Sequence, residues 1–230
     1  MSDTKAAGPI ILQDSAEEPI EGLPAGFGEG LPGRIAFWIA VVFSLFQLWT
    51  AAYGTLPSQV VRAMHVGFLL LLGFALFGNL VAKTPWGRVW FWGLGIAGFL
   101  TGIYNWVEYV PLIHRSGFLT PLDLTVGAVT IALVFEGARR LMGLPLTIIA
   151  GVFLAYCFFG NYLPAPFIHR GYPWEMIIEH FGFGTEGIYG TPIYVSAAYI
   201  FIFVVFAAFL ERAGMLALFN DFALGLVGSW

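Results

Sequence analysis

His169, Arg170, Glu175, Glu179, His180 and Glu186 lie close together and form the densest set of side chains that could bind a metal or move a proton. A helical zinc-protease site needs two histidines four residues apart around a glutamate, so that both rings reach one ion. No HExxH run is present, and the spacings do not bring pairs onto one helical face. The set reads as a solvated outer loop containing a short helix, Pro173 to Phe181. An intramembrane enzyme built from this loop and Glu108 is the weaker alternative. Cys157, the one cysteine, cannot pair within the chain, and a thiol without clustered histidines makes no metal site; it reads as a small buried hydrophobe. No Ser–His–Asp or Cys–His arrangement can be assembled. The sequence therefore points to no catalytic residue, no metal ligand and no enzyme.

The other ionisable groups read as structural. Glu108, His114, Arg115 and Asp123 fall together in one turn, where they can neutralise one another. Asp123 also opens a helix, where its charge suits the dipole. Glu136 lies three and four residues before Arg139 and Arg140, which places all three on one helical face as an ion pair and anchor. His65, Gln47 and Asn79 are lone polar groups inside apolar stretches, and such groups usually bond across helices. Gly98 and Gly102 have the GxxxG spacing that lets two helix backbones approach closely.

The elements that must position these groups are hydrophobic runs near the length of a bilayer crossing. Six are expected: Ile35–Leu56, Ala63–Ala82, Val89–Val110, Leu122–Ala138, Leu144–Tyr162 and Ile193–Leu210. Breakers separate them, among them Leu56-Pro57-Ser58, Thr84-Pro85, Ser116-Gly117, Gly143 with Pro145, and Leu163-Pro164-Ala165-Pro166. Met215 to Val227 carries Leu216, Phe219, Phe222, Ala223 and Leu226 at helical spacing, with Asn220 and Asp221 opposite, as an amphipathic helix would. The expected fold is all-α, a polytopic membrane helix bundle of about six crossings plus that C-terminal amphipathic helix.

Composition agrees. The 230-residue chain is 59% hydrophobic and 10% charged, against about a quarter charged in soluble domains. Residues 1–31 are acidic and rich in Gly and Pro and read as a disordered tail, with no basic region leading into an apolar core as in a signal peptide. The ten Lys and Arg are scattered, which disfavours nucleic acid as a partner. With the N-terminus in the cytoplasm, Lys5, Arg34, Lys83, Arg88, Arg139, Arg140 and Arg212 lie inside, and Arg62, Arg115 and Arg170 lie outside. That asymmetry favours this orientation.

Several runs resemble the fused permeases of tripartite ATP-independent periplasmic (TRAP) transporters. They are Phe135-Glu136-Gly137-Ala138-Arg139-Arg140-Leu141-Met142-Gly143, then Phe159-Gly160-Asn161-Tyr162-Leu163-Pro164 with His169-Arg170-Gly171-Tyr172. Thr185-Glu186-Gly187-Ile188-Tyr189-Gly190-Thr191-Pro192 follows, then Val195-Ser196-Ala197-Ala198-Tyr199-Ile200-Phe201 and Phe206-Ala207-Ala208-Phe209-Leu210-Glu211-Arg212-Ala213-Gly214. The first four helices match only in number and hydropathy.

The resemblance implies a small-permease-like domain over residues 32–140 and the first scaffold helices of a large permease domain over 141–230. It implies a bacterial inner-membrane symporter that uses a sodium gradient and receives an organic anion, a carboxylate, from a periplasmic solute-binding protein, often of the TAXI type. The expected partners are that protein, the remaining large permease domain and membrane lipid. In the family a Gly-rich re-entrant hairpin with a Ser-Gly-Ser motif follows the segment that ends here at Gly228. No such element precedes Trp230, so no sodium or substrate ligand carries over. No cofactor is expected of this chain, with sodium belonging to the complete transporter. The expectation is a scaffold portion, truncated or split. The alternatives are a stand-alone membrane assembly protein or a nonfunctional remnant.

Overall fold

A computed structural model describes residues 26–28 and 30–227. The acidic tail expected over residues 1–31 falls outside the described residues, apart from Gly26–Gly28 and the start of the first helix. Among the described residues ten α-helices follow in chain order: α1 Gly30–Tyr53, α2 Ser58–Leu76, α3 Pro85–Val107, α4 Tyr109–His114, α5 Pro121–Leu141, α6 Leu144–Phe159, α7 Trp174–Gly182, α8 Thr191–Val195, α9 Phe201–Arg212 and α10 Met215–Val227. A π-helical turn, Phe77–Val81, prolongs α2, and another, Ser196–Ile200, joins α8 to α9 into one span. No strand occurs among the described residues. The chain is an all-α bundle.

The sequence places these boundaries for local reasons. Thr84 caps α3 by accepting the Gly87 amide at 3.1 Å, with Pro85 in the first turn. Thr120 and Asp123 form a reciprocal capping box at the start of α5, again followed by proline. Gly143, at φ 83°, makes the reversal between α5 and α6 that a side chain would resist.

Among the described residues five spans are long and apolar enough to cross a membrane: Gly30–Tyr53, Ser58–Val81, Pro121–Leu141, Leu144–Tyr162 and Thr191–Arg212. The remaining expected crossing, α3, has 23 residues, about 35 Å at 1.5 Å per residue. Its glycines, tryptophans, Thr101 and Asn105 lower its mean hydropathy below that of those five. It also stops at Val107 rather than Val110. Pro111 cannot donate to residue 107 and its ring crowds that carbonyl, so the chain kinks into α4. α2 begins five residues before the expected Ala63, and so takes Arg62 into the helix.

α2 is the hub. It is mostly buried, whereas α6 and α9 have no fully buried residue. α3 lies against α2 at backbone distance: a Cβ on Gly102 would sit 2.9 Å from the Ala63 carbonyl oxygen, and one on Gly95 3.0 Å from that of Leu71. Gly98 faces the Leu70 side chain in the same seam. Without a hydrophobic effect between helices in lipid, this close van der Waals approach is what holds them. Around it, Ala63, Val66, Leu70, Phe74, Leu133 and Tyr189 form one core cluster. A second cluster contains Phe43, Val60, Met64 and Phe68, and the Phe43 and Phe68 rings stack 4.9 Å apart.

Gly102→Leu pushes α3 off α2 and costs about 1–3 kcal/mol. Gly93→Leu, where an added Cβ meets nothing within 4 Å, leaves stability unchanged or raises it slightly. Denaturant unfolding of both variants in detergent micelles measures the difference.

Candidate functional site

The C-terminal ends of α1 and α3 meet the N-terminal ends of α2, α5 and α8 at one end of the bundle, and most of its buried polar chemistry collects there. Two assemblies share that end.

The first is a carboxylate clasp. Asp123 is fully buried at the start of α5. Its Oδ2 accepts Arg115 Nε at 2.8 Å, the Thr120 amide at 2.8 Å and the Thr120 hydroxyl at 2.7 Å. Its Oδ1 accepts Arg115 Nη2 at 2.7 Å and the Tyr104 hydroxyl at 2.5 Å. Arg115 Nη2 also donates to Glu108 Oε2 at 2.8 Å. One guanidinium thus ties together the end of α3, α4 and the start of α5. Its hydrogen bond to Asp123 above all, and then that to Glu108, hold Arg115 above its ordinary range against the opposing pull of partial burial. Glu179 of α7 extends the clasp by accepting the Ser116 hydroxyl and the Gly117 amide. His114 stands at the end of α4, exposed and outside this bonding.

The second assembly is a polar seam in the apolar interior. Gln47 of α1 and His65 of α2 are fully buried. Gln47 Nε2 donates to His65 Nδ1 and, at 3.2 Å, to the Ala197 carbonyl in the second π-helical turn. Nδ1 then accepts, so His65 is neutral with its proton on Nε2, which donates to Ser196 Oγ at 3.1 Å. The π turn suits this role, because a widened turn leaves carbonyls off the regular ladder and open to side chains. Nearby, Arg62 Nη1 donates to the Tyr189 carbonyl at 2.8 Å, and its guanidinium lies 4.8 Å from the centre of the Tyr194 ring. Asn105 donates to the Tyr189 hydroxyl at 3.4 Å. Burial pushes the Tyr189 phenol up, so it stays a neutral hydrogen-bonding group. Gln47 Oε1, Arg62 Nε and Asn105 Oδ1 are buried without a partner among the described residues.

At the opposite end, Glu136 accepts Arg139 Nε and Nη2, both at 2.8 Å, and Arg140 Nε at 2.6 Å. Asn79, in the π turn that prolongs α2, donates to the Phe27 carbonyl before α1 and accepts from Trp92 Nε1 of α3 at 3.0 Å.

The loop from His169 to Glu186 does not assemble as one site. Both His169 ring nitrogens serve the backbone. Nδ1 accepts the Gly171 amide at 3.0 Å, which leaves Nε2 to donate to the Tyr156 carbonyl at 2.9 Å. The ring fills the space where a Gly160 side chain would stand. α7 covers the stretch read as Pro173 to Phe181 and docks on α5 through Gly127 and Gly182. Glu175 and Glu186 are exposed. Cys157 is half-buried and lines a largely apolar cavity of about 280 Å³ with Tyr172, Met176, Ile177, His180 and Phe181. Among the described residues no three His, Cys, Asp or Glu are placed to hold a metal ion.

Sequence reasoning brought Glu108, Arg115 and Asp123 together, and likewise Glu136 with its arginines. It missed Tyr104 as a ligand of Asp123, and Ser196 and Tyr189 as partners of α2. The Tyr104 pairing spans 19 positions and the Tyr189 and Ser196 pairings 127 and 131, and none carries a local spacing signal.

The chain matches no known family model, and no curated protein or solved structure is significantly similar to it.

The two assemblies differ in energetic weight. Asp123→Asn strips the charge from a buried acceptor of five donors and costs about 1.5–3 kcal/mol. Ser196→Ala removes one interhelical bond and costs ~0.6 kcal/mol, the usual value for such bonds in membranes. Unfolding of both variants in the same detergent tests this order.

Proposed function

We propose that this chain is the membrane scaffold portion of a TRAP-type secondary transporter permease. The permease would take up an organic anion with sodium at a bacterial inner membrane, supplied by a periplasmic solute-binding protein. One observation carries this reading. Tyr189, Ser196 and Ala197, which lie within the resembling runs Thr185–Pro192 and Val195–Phe201, fasten this part of the chain to α1, α2 and α3. Tyr189 is fully buried against the core of α2, Gly190 is buried beside it, and Ser196 and Ala197 receive the Gln47–His65 pair. A motif spent on joining two helical parts is what a fused scaffold needs. The part a scaffold must leave open is also present, since α6 and α9 have no fully buried residue and most of their residues are exposed.

Charge supports the orientation. Arg62, Arg115 and Arg170 belong to the end that holds Glu108, Asp123, Glu175, Glu179 and Glu186, while Arg34, Lys83, Arg88, Arg139, Arg140 and Arg212 belong to the other. The more basic end suits the cytoplasm. No sodium or substrate ligand is assigned to residues of this chain. The Arg115 clasp and the His65 seam hold helices rather than cargo.

Purification of the tagged chain from its native membrane in mild detergent is expected to recover a hairpin-bearing permease segment and a solute-binding protein. A cysteine placed at Ser116 is expected to react with an impermeant maleimide added outside intact cells, and one at Lys83 only after the membrane is opened. Recovery of the chain alone, or the reverse labelling pattern, contradicts the reading.

A further inference from the structure

The arginine end of α5 has a feature that the scaffold role does not use. Glu136 supplies one negative charge to two guanidiniums. Arg139 spends two nitrogens on it, in a fork, whereas Arg140 spends only Nε. The Arg140 Nη groups donate to no atom of the described residues. The Arg140 guanidinium is held over the Phe91 ring at 4.5 Å and beside the Phe77 ring at 5.9 Å, so its donors are presented in a fixed pose.

Phe77 has a second neighbour. With Leu69, Leu70, Gly73, Phe74, Gly137 and Leu141 it lines a shallow, wholly apolar crevice of about 20 Å³ along the seam between α2 and α5, a notch in the surface that the side of an acyl chain can lie against. The crevice exists because two glycines stand in its wall. A Cβ on Gly73 would find its nearest atom, Leu141 Cδ1, at 4.0 Å. Leu69 and Leu141 on its rim are exposed, so it opens to the hydrocarbon around the bundle. A fixed cation with spare donors therefore stands beside Phe77 in the wall of an apolar slot, at the end of the bundle that carries six of the basic residues.

We propose that this slot and Arg140 bind an anionic phospholipid of the adjoining leaflet, with its phosphodiester on Arg140 and one acyl chain along the α2–α5 seam. The charge surplus over Glu136 selects an anion, and the continuity of Phe77 with both parts selects an amphiphile over a free anion. The inference requires only that the bundle sits in lipid and is independent of the transport reading. A cation near an anionic headgroup contributes roughly 1 kcal/mol, about a five-fold preference.

The test uses the purified full chain in detergent and measures binding by native mass spectrometry. Phosphatidylglycerol and phosphatidylcholine with the same acyl chains are compared, with glycerol phosphate as the chainless control. The wild type is expected to bind phosphatidylglycerol about five-fold more tightly than phosphatidylcholine and to ignore glycerol phosphate. R140Q is expected to abolish the preference. R34Q, which removes a basic residue from the same end that does not line the slot, is expected to keep it. G73L fills the slot and is expected to weaken both lipids alike. No preference in the wild type overturns the proposal, as does a preference that survives R140Q. Equal binding of glycerol phosphate overturns it in favour of a free-anion site. If R140Q does not fold, the wild-type comparison and G73L decide: binding of both lipids unchanged in G73L removes the slot.

Discussion

A helix enclosed by other helices in a membrane must be held by contact and hydrogen bonding, because lipid offers no hydrophobic gain for burying it. α2 lives under that constraint, and the rest of the bundle is arranged to meet it. Small residues at Ala63, Gly67, Gly95, Gly98 and Gly102 bring the α2 and α3 backbones into contact. Arg62 and His65, which lipid would tolerate poorly, point to partners on three other elements: Gln47 of α1, Ser196 of the π turn and the Tyr189 carbonyl. The apolar faces of α2 meet Phe43, Phe99 and Leu133. Its charged and polar residues therefore decide which helices surround it, while its glycine contacts decide how near they come.

The same logic separates the two ends of the molecule. At the α5 N-terminal end one guanidinium serves two carboxylates, and the buried Asp123 carboxylate accepts five bonds from Tyr104, Arg115 and Thr120. That carboxylate is saturated from within the clasp. At the α5 C-terminal end two guanidiniums share one carboxylate, so a donor surplus remains beside exposed apolar surface. A closed network fixes structure, and an open one has capacity for a charged partner. The structural part of the bundle can thus be told from its available part without appeal to any relative.

Much of this was legible in the sequence because it is local. Spans follow from run length, their ends from Pro57, Thr84-Pro85, Ser116-Gly117 and Gly143, and the Glu136 pair from helical spacing. The C-terminal helix occupies the stretch that its apolar periodicity marked, Met215 to Val227. What stayed hidden is long-range or geometric. Nothing in the residues around Ser196 announces a π turn, and nothing near Gln47 names His65. Pro111 was visible, yet its effect of ending α3 at Val107 was lost in an unbroken apolar count. His169 looked like a candidate ligand, but only the folded loop shows both of its nitrogens committed to backbone.

The central claim is that α2 is sheathed by protein while α6 and α9 meet lipid. Carbene footprinting of the native chain in liposomes, with a lipid-soluble diazirine and residue-level mass spectrometry, tests it most directly. Labelling is predicted to be sparse from Val60 to Ala75 except at the exposed Leu69, and dense along Leu144–Phe159 and Phe201–Arg212. Labelling of α2 as heavy as that of α6 would contradict the account.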